Sequence, residues 1–124
     1  MNASIADDLV LAARKGAVLR LTMNRAGARN ALSTAMMSAL QKAFEAAAED
    51  DSHVIVLAAE GSTFCAGHDL KEMTALRSQP DEGRAAFAAI FAQCSKLMQT
   101  IVRHPKPVIA QVQDRKSTRL NSSH

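Results

Sequence analysis

Between residues 64 and 73 the chain reads Phe64-Cys65-Ala66-Gly67-His68-Asp69-Leu70-Lys71-Glu72-Met73, which concentrates groups that could do chemistry. Ala66 and Gly67 leave the backbone bare, so N–H groups here can approach a ligand closely. His68 beside Asp69 has the composition of a general-base pair, but adjacent side chains rarely face each other. Cys65 has the type of a nucleophile, yet spacing ties no His or Asp to it, and a small packed thiol is the plainer reading. The span from Gly61 to Gly67 lacks the Gly-Lys-Ser/Thr ending of a phosphate loop. What remains is a cradle built from backbone donors.

The elements around this run must hold it in place. Val54-Ile55-Val56-Leu57 is a short, fully apolar strand, and Glu60-Gly61-Ser62-Thr63 turns the chain out of it. An apolar strand without alternation is expected to be covered on both faces, as in a parallel sheet reached by helical crossovers. Upstream, Leu9–Ala13 and Ala17–Met23 read as a hairpin turning at Arg14-Lys15-Gly16, where Gly16 supplies a positive φ. A polar loop, Asn24–Asn30, leads to Ser33 as N-cap, with Leu32 and Met37 placed for a hydrophobic staple. Met37, Leu40, Phe44 and Ala47 then recur at helical spacing, with Gln41, Lys42, Glu45 and Glu49 opposite, so the methionines read as core packing.

A second helix is expected from Pro80, with Asp81 as its N-cap and an apolar stripe of Phe87, Ile90, Phe91, Cys94, Leu97, Met98 and Ile101. Arg103 and His104 suit its C-terminus, and Pro105 and Pro107 stop it. Val108–Gln113 reads as another buried strand. The order β-β-α-β-α-β is that of an α/β protein with crossovers.

Composition narrows the classes of function. The 124 residues suffice for one small domain. Hydrophobic residues are 48% and aromatics 3%, so the core is built from aliphatic side chains and the six methionines. Two cysteines without framework spacing argue for a reducing compartment and against a structural metal. The net charge of +3 sits mainly in the last eleven residues; without them 12 basic side chains face 11 acidic ones, which is poor support for nucleic-acid binding. Met1–Leu11 carries Asp7 and Asp8 and neither an export signal nor an Arg-rich presequence, and no apolar run is read as membrane-spanning. The expectation is a cytoplasmic protein that binds neither nucleic acid nor membrane.

With these pieces in order, the chain resembles the enoyl-CoA hydratase/isomerase (crotonase) family. The likeness is carried by Asn24-Arg25 with Asn30-Ala31-Leu32, the strand Val54–Leu57, Phe64–Glu72, and Pro105-Lys106-Pro107-Val108-Ile109-Ala110. The resemblance implies an α/β fold, the N-terminal part of the crotonase (ClpP-like) β-β-α spiral, truncated. It divides the chain into an extension, residues 1–8, a partial domain, 9–113, and a tail, 114–124. The tail reads Asp114-Arg115-Lys116-Ser117-Thr118-Arg119-Leu120-Asn121-Ser122-Ser123-His124, the in-frame translation of a common sequencing-adapter oligonucleotide, and is expected to be non-native.

The resemblance also implies an acyl-CoA thioester as substrate, no cofactor and no metal, and a trimer or hexamer for a full-length member. The His68 backbone N–H would be the first donor of an oxyanion hole, which stabilises the enolate formed from a 2-enoyl-CoA during hydration. Arg25, Ala28, Ala66, Gly67, His68, Asp69, Leu70 and Lys71 would line the substrate site, although Lys71 reads equally as a solvated helix residue. In the family the second donor follows the strand at Val108–Val112, and the catalytic carboxylates lie further on. Asp114 stands where a member would carry Gly, so the 124 residues alone are expected to be inactive. The alternative is a non-catalytic acyl-CoA-binding or regulatory protein of the same fold.

Overall fold

The computed structural model describes residues 9–26, 30, 32–61, 72, 74, 75, 77, 81 and 83–112. Four strands and two long helices follow in the expected order: β1 (Val10–Lys15), β2 (Val18–Met23), α1 (Thr34–Glu49), β3 (Val54–Ala59), α2 (Arg84–Val102) and β4 (Val108–Ala110). The strands form one sheet in the order β1-β2-β3-β4. β1 and β2 are antiparallel, while β2–β3 and β3–β4 are parallel, each parallel pair joined by a helical crossover.

The hairpin is tighter than the sequence suggests. Arg14 and Lys15 belong to β1, Lys15 pairs with Val18, and the turn is Gly16-Ala17. Gly16 has φ +61°, which suits the first central position of a type II′ turn, whose twist matches that of the strands. On this edge Arg14 Nη1 donates to Asp51 Oδ1 at 2.7 Å, and Nη2 donates to the Gly16 carbonyl at 2.8 Å.

One face of the sheet meets both helices. Leu19, Leu21 and Met23 of β2 pair in register with Ile55, Leu57 and Ala59 of β3, and Val108 of β4 pairs with Ile55. These side chains pack with Met36, Met37, Leu40, Phe44 and Ala47 of α1 and Ile90 and Leu97 of α2. The methionine stripe is thus core, widened by Met36 beyond the expected positions. Ser33 Oγ accepts from the Met36 N–H at 3.1 Å, as its role of N-cap requires.

Several expectations need correction. The described elements bury Ile55 and Ala58 of β3, one on each face, and leave Val54, Val56, Leu57 and Ala59 half-buried, so neither face is covered fully. For the same reason β4 is short and open, with Ile109 55% exposed. In α2 the stripe splits. Ile90 and Leu97 are buried and Cys94 and Ile101 flank them, whereas Phe91 and Met98 are exposed because α1 covers a narrower strip than the apolar positions span. Gly83, φ +80°, is the N-cap of α2, yet Asp81 still serves the first turn: its carboxylate accepts from the Ala85 N–H at 3.1 Å and the Gly83 N–H at 2.9 Å. Finally, α2 is long and apolar enough, by length and composition alone, to cross a membrane, against the expectation that no apolar run approaches that length.

The ends of α1 are completed from far along the chain. Its first turn holds no acidic residue and its last turn no basic one. Glu72 supplies the acid, accepting from the Thr34 N–H at 3.0 Å and Oγ1 at 2.9 Å. Lys106 supplies the base, its Nζ donating to the carbonyls of Ala47 and Asp50 and to Ser52 Oγ. His104, expected to serve its own helix, instead reaches α1: Nε2 donates to the Phe44 carbonyl at 2.9 Å while Nδ1 accepts from the Lys106 N–H at 3.1 Å, which fixes the tautomer.

Candidate functional site

β2, β3 and β4 run parallel, so their carboxyl ends at Met23, Ala59 and Ala110 lie along one edge of the sheet. In open α/β sheets ligands bind outside the carboxyl ends of the strands. Asn24–Ala26 follow β2 and Glu60 and Gly61 follow β3 at this edge, and these residues begin the two stretches to which the sequence assigns substrate contacts.

Asn30 joins the two stretches. It is fully buried, in the left-handed region at φ 55°, a conformation Asn tolerates better than most residues. Its Oδ1 accepts from the Arg25 N–H at 2.8 Å, its own N–H donates to the Arg25 carbonyl at 2.9 Å, and its Nδ2 donates to the Glu60 carbonyl at 2.8 Å. The Glu60 N–H in turn donates to the Met23 carbonyl at 2.8 Å. Gly61 sits against Ala26 with φ +87°, and a Cβ added there would lie 2.9 Å from Ala26 Cβ. Only glycine permits that approach.

Of the residues assigned to the site, Arg25 is the described one: it is half-buried, and its backbone is held by Asn30. Ala28, Ala66, Gly67, His68, Asp69, Leu70 and Lys71 lie outside the described residues, as does Cys65. Glu72, at the far end of the run, is bound to the first residue of α1. Sequence reasoning did not single out Asn30, Gly61, Thr34 or Glu72 for these contacts. An Asn that ends a loop three residues before an N-cap, where a left-handed turn is natural, was the available signal for Asn30.

A cleft of about 510 Å³ lies elsewhere, between the C-terminal halves of α1 and α2. Glu45 and Glu49 face Lys96 and Arg103 across it, with Phe44 and His104 in its walls. Because α1 descends from the carboxyl edge of the sheet to the start of β3, this cleft is at the opposite end from the two loops. Its charges are mixed and converge on no point, so the carboxyl edge is the better candidate site.

The comparisons decide the family. The enoyl-CoA hydratase/isomerase family model matches residues 13–115, from within β1 to beyond β4. The chain belongs to the enoyl-CoA hydratase/isomerase family. It is similar to human enoyl-CoA hydratase domain-containing protein 3, mitochondrial, 47% identical over 85 residues that cover 68% of this chain and 26% of that protein.

Among solved structures, an enoyl-CoA hydratase of Mycobacterium smegmatis superposes with TM-score 0.76 and 49% identity, over 84% of this chain and 39% of that one. The crystal structure of human enoyl coenzyme A hydratase domain-containing protein 3 gives TM-score 0.76 and 36% identity over 86% and 40%. The four-stranded sheet and its two helices are therefore elements of the crotonase α/β fold. The chain spans about a quarter of the length of the human curated relative and about two fifths of these two solved relatives.

Proposed function

We propose that the carboxyl edge of the sheet binds an acyl-CoA thioester and that the protein acts in the hydration of 2-enoyl-CoA. The Asn24–Asn30 stretch with Arg25 and Ala28 takes the CoA side. Ala66, Gly67, Asp69, Leu70 and Lys71 form the acyl wall, and the His68 backbone N–H is the first donor to the thioester oxygen. The observation that carries this reading is the Asn30 junction: one buried amide ties the Arg25 backbone to the end of β3, so both assigned stretches issue from a single fixed corner.

Chemically, a backbone donor held by a strand end costs no reorganisation when negative charge grows on the thioester oxygen. The described acids at this edge suit support better than proton transfer. Glu72 has both carboxylate oxygens on Thr34, and Glu60 is exposed, with its carbonyl and N–H taken by Asn30 and Met23. On this reading the 124 residues supply the first oxyanion donor and bind the thioester without turnover. Omitting one donor costs about 10²–10³ in kcat, and omitting acid–base groups about 10²–10⁴ more.

The test is calorimetric titration of octanoyl-CoA into the chain, together with an assay of crotonyl-CoA hydration. Binding without hydration is the expected result. No binding at millimolar ligand contradicts the acyl-CoA reading. Hydration by the chain itself contradicts the assignment of the remaining groups to segments it does not contain.

A further inference from the structure

Among the described residues the large apolar side chains left exposed all lie on α2, on β4 or just past it. β4 is the outer strand of the sheet. The Ile55 N–H donates to the Pro107 carbonyl at 2.9 Å, and the Gln111 N–H donates to the Leu57 carbonyl at 2.8 Å. Backbone groups alternate between the two sides of a paired strand, so Pro107, Ile109 and Gln111 face β3. Val108 and Ala110 therefore turn their N–H and C=O groups to the open side.

Edge strands are commonly blunted by charge, proline or bulges. β1, at the other edge of the sheet, carries Arg14 and Lys15. β4 has no such guard: Val108 to Gln113 hold no charge, and Pro107 lies in the phase that faces β3. The helix beside this edge is apolar as well. Gln93 and Thr100 fasten α2 to α1, the first through the Thr34 carbonyl and the second through Gln41 Nε2. Helical spacing then puts Met98 and Val102 on the flank away from α1, where both are exposed, Val102 to 82%.

We infer that β4 is a self-association edge: a second copy of this chain pairs with it antiparallel, about a two-fold axis through Ile109. This does not depend on the function proposed above. In that register Val108 faces Ala110 of the second copy, and Ala110 faces its Val108, so every outward N–H and C=O of these residues finds a partner. Ile109 meets its own counterpart as a non-hydrogen-bonded pair, the closer of the two kinds. The two four-stranded sheets become one continuous sheet with both α2 helices on the same side. Strands lie about 4.8 Å apart and packed helices about 8–10 Å, so helices crossing over the two central strand pairs meet along Met98 and Val102. Each copy gives and receives the same contacts, so the assembly closes at two. The joint area, on the order of 1,000 Å², is near the lower limit for a specific interface, and the dimer is accordingly weak.

Sedimentation velocity of the full 124-residue chain, from low micromolar to submillimolar concentration, tests this. Monomer should give way to dimer with a dissociation constant on the order of 10–100 μM. Ala110→Pro removes an N–H only from the open side, where an edge strand tolerates proline. It should weaken the dimer about tenfold or more and leave the urea midpoint at low micromolar concentration unchanged. If Ala110→Pro does not fold, Ile109→Lys, which sets like charges face to face across the axis, is read instead with the same loss expected. Mild oxidation reads the register: Ile109→Cys should give a disulfide-linked dimer, whereas Gln111→Cys, on the same face but off the axis, should give none beyond that of the unaltered chain. A chain that stays monomeric throughout, or an assembly that grows past the dimer, overturns the proposal. So does a dimer that neither Ala110→Pro nor Ile109→Lys weakens, or equal cross-linking of the Ile109→Cys and Gln111→Cys proteins.

Discussion

Lys106 Nζ lies 2.7 Å from Asp50 Oδ1 and 2.8 Å from the Asp50 carbonyl, closing the end of α1 from 56 residues along the chain. Its side chain is 13% exposed, and with the Ala47 carbonyl it satisfies groups that the helix cannot satisfy itself. Lys106→Met keeps the stem and removes these bonds. Because bonds from a charged donor to carbonyls are among the stronger ones, the substitution should lower stability by about 2 kcal/mol. The midpoint of urea unfolding measures this, at unchanged slope.

The same corner sets an acid dependence. Asp50 is held below the ordinary carboxylate range, first by the Lys106 ammonium and then by the Ser52 hydroxyl and N–H. Asp51 is lowered by the Arg14 guanidinium, and Asp81 by the Ala85 N–H, partly offset by burial, and by the Gly83 N–H. Carboxyls depressed in the folded state contribute stability that is complete above their unfolded value, near 3.8, and is lost as pH falls through the folded values. Thermal melts should therefore be flat in these groups above about pH 5 and fall steadily below about pH 4. Lys106→Met should make that fall shallower, as should added salt, which screens the exposed Arg14–Asp51 pair more than the Lys106 corner.

Among the described residues Phe44 is the largest wholly buried side chain, and His104 meets its ring edge-on at a centroid distance of 5.9 Å. Phe44→Ala leaves a void where α1, α2 and the sheet converge. The expected loss is about 3–5 kcal/mol, read from urea unfolding. A smaller loss, about 1 kcal/mol, would show that the helices collapse onto the gap.

Gly16 and Gly61 make a matched pair of probes. Both have positive φ, but a Cβ at Gly16 meets nothing within 4 Å, whereas one at Gly61 meets Ala26 Cβ at 2.9 Å. Gly16→Ala should cost only the left-handed conformation, about 1–2 kcal/mol. Gly61→Ala should cost more and should also weaken octanoyl-CoA binding, because it forces apart the two stretches that Asn30 joins. Unfolding midpoints and calorimetry on both variants check the contrast.

Much of the architecture is written locally. Ser33 followed by apolar residues at three- and four-residue spacing marks α1, and the unbroken apolar run of β3 marks a parallel sheet, because each rule needs only a few neighbouring residues. The helix ends are not local: Glu72 and Lys106 reach α1 from 38 and 56 residues away, and no rule about first or last turns sees them. Periodicity also finds the apolar side of α2 but not how much of it a neighbour covers, so Phe91 and Met98 look like core and are exposed. At the site, glycine and small residues announce a close approach of backbone to ligand. Which amide holds the loops together depends on contacts between Asn30, Arg25 and Glu60 that only the fold brings about.

The most direct test of the account is ¹H–¹⁵N NMR of the labelled chain, titrated with octanoyl-CoA and, separately, with free CoA. Binding at the carboxyl edge predicts that the His68 amide shifts with the thioester and not with free CoA, while Arg25 shifts with both. Shifts confined to Glu45, Lys96 and Arg103 in the cleft between the helices, or no shift at His68, would contradict it.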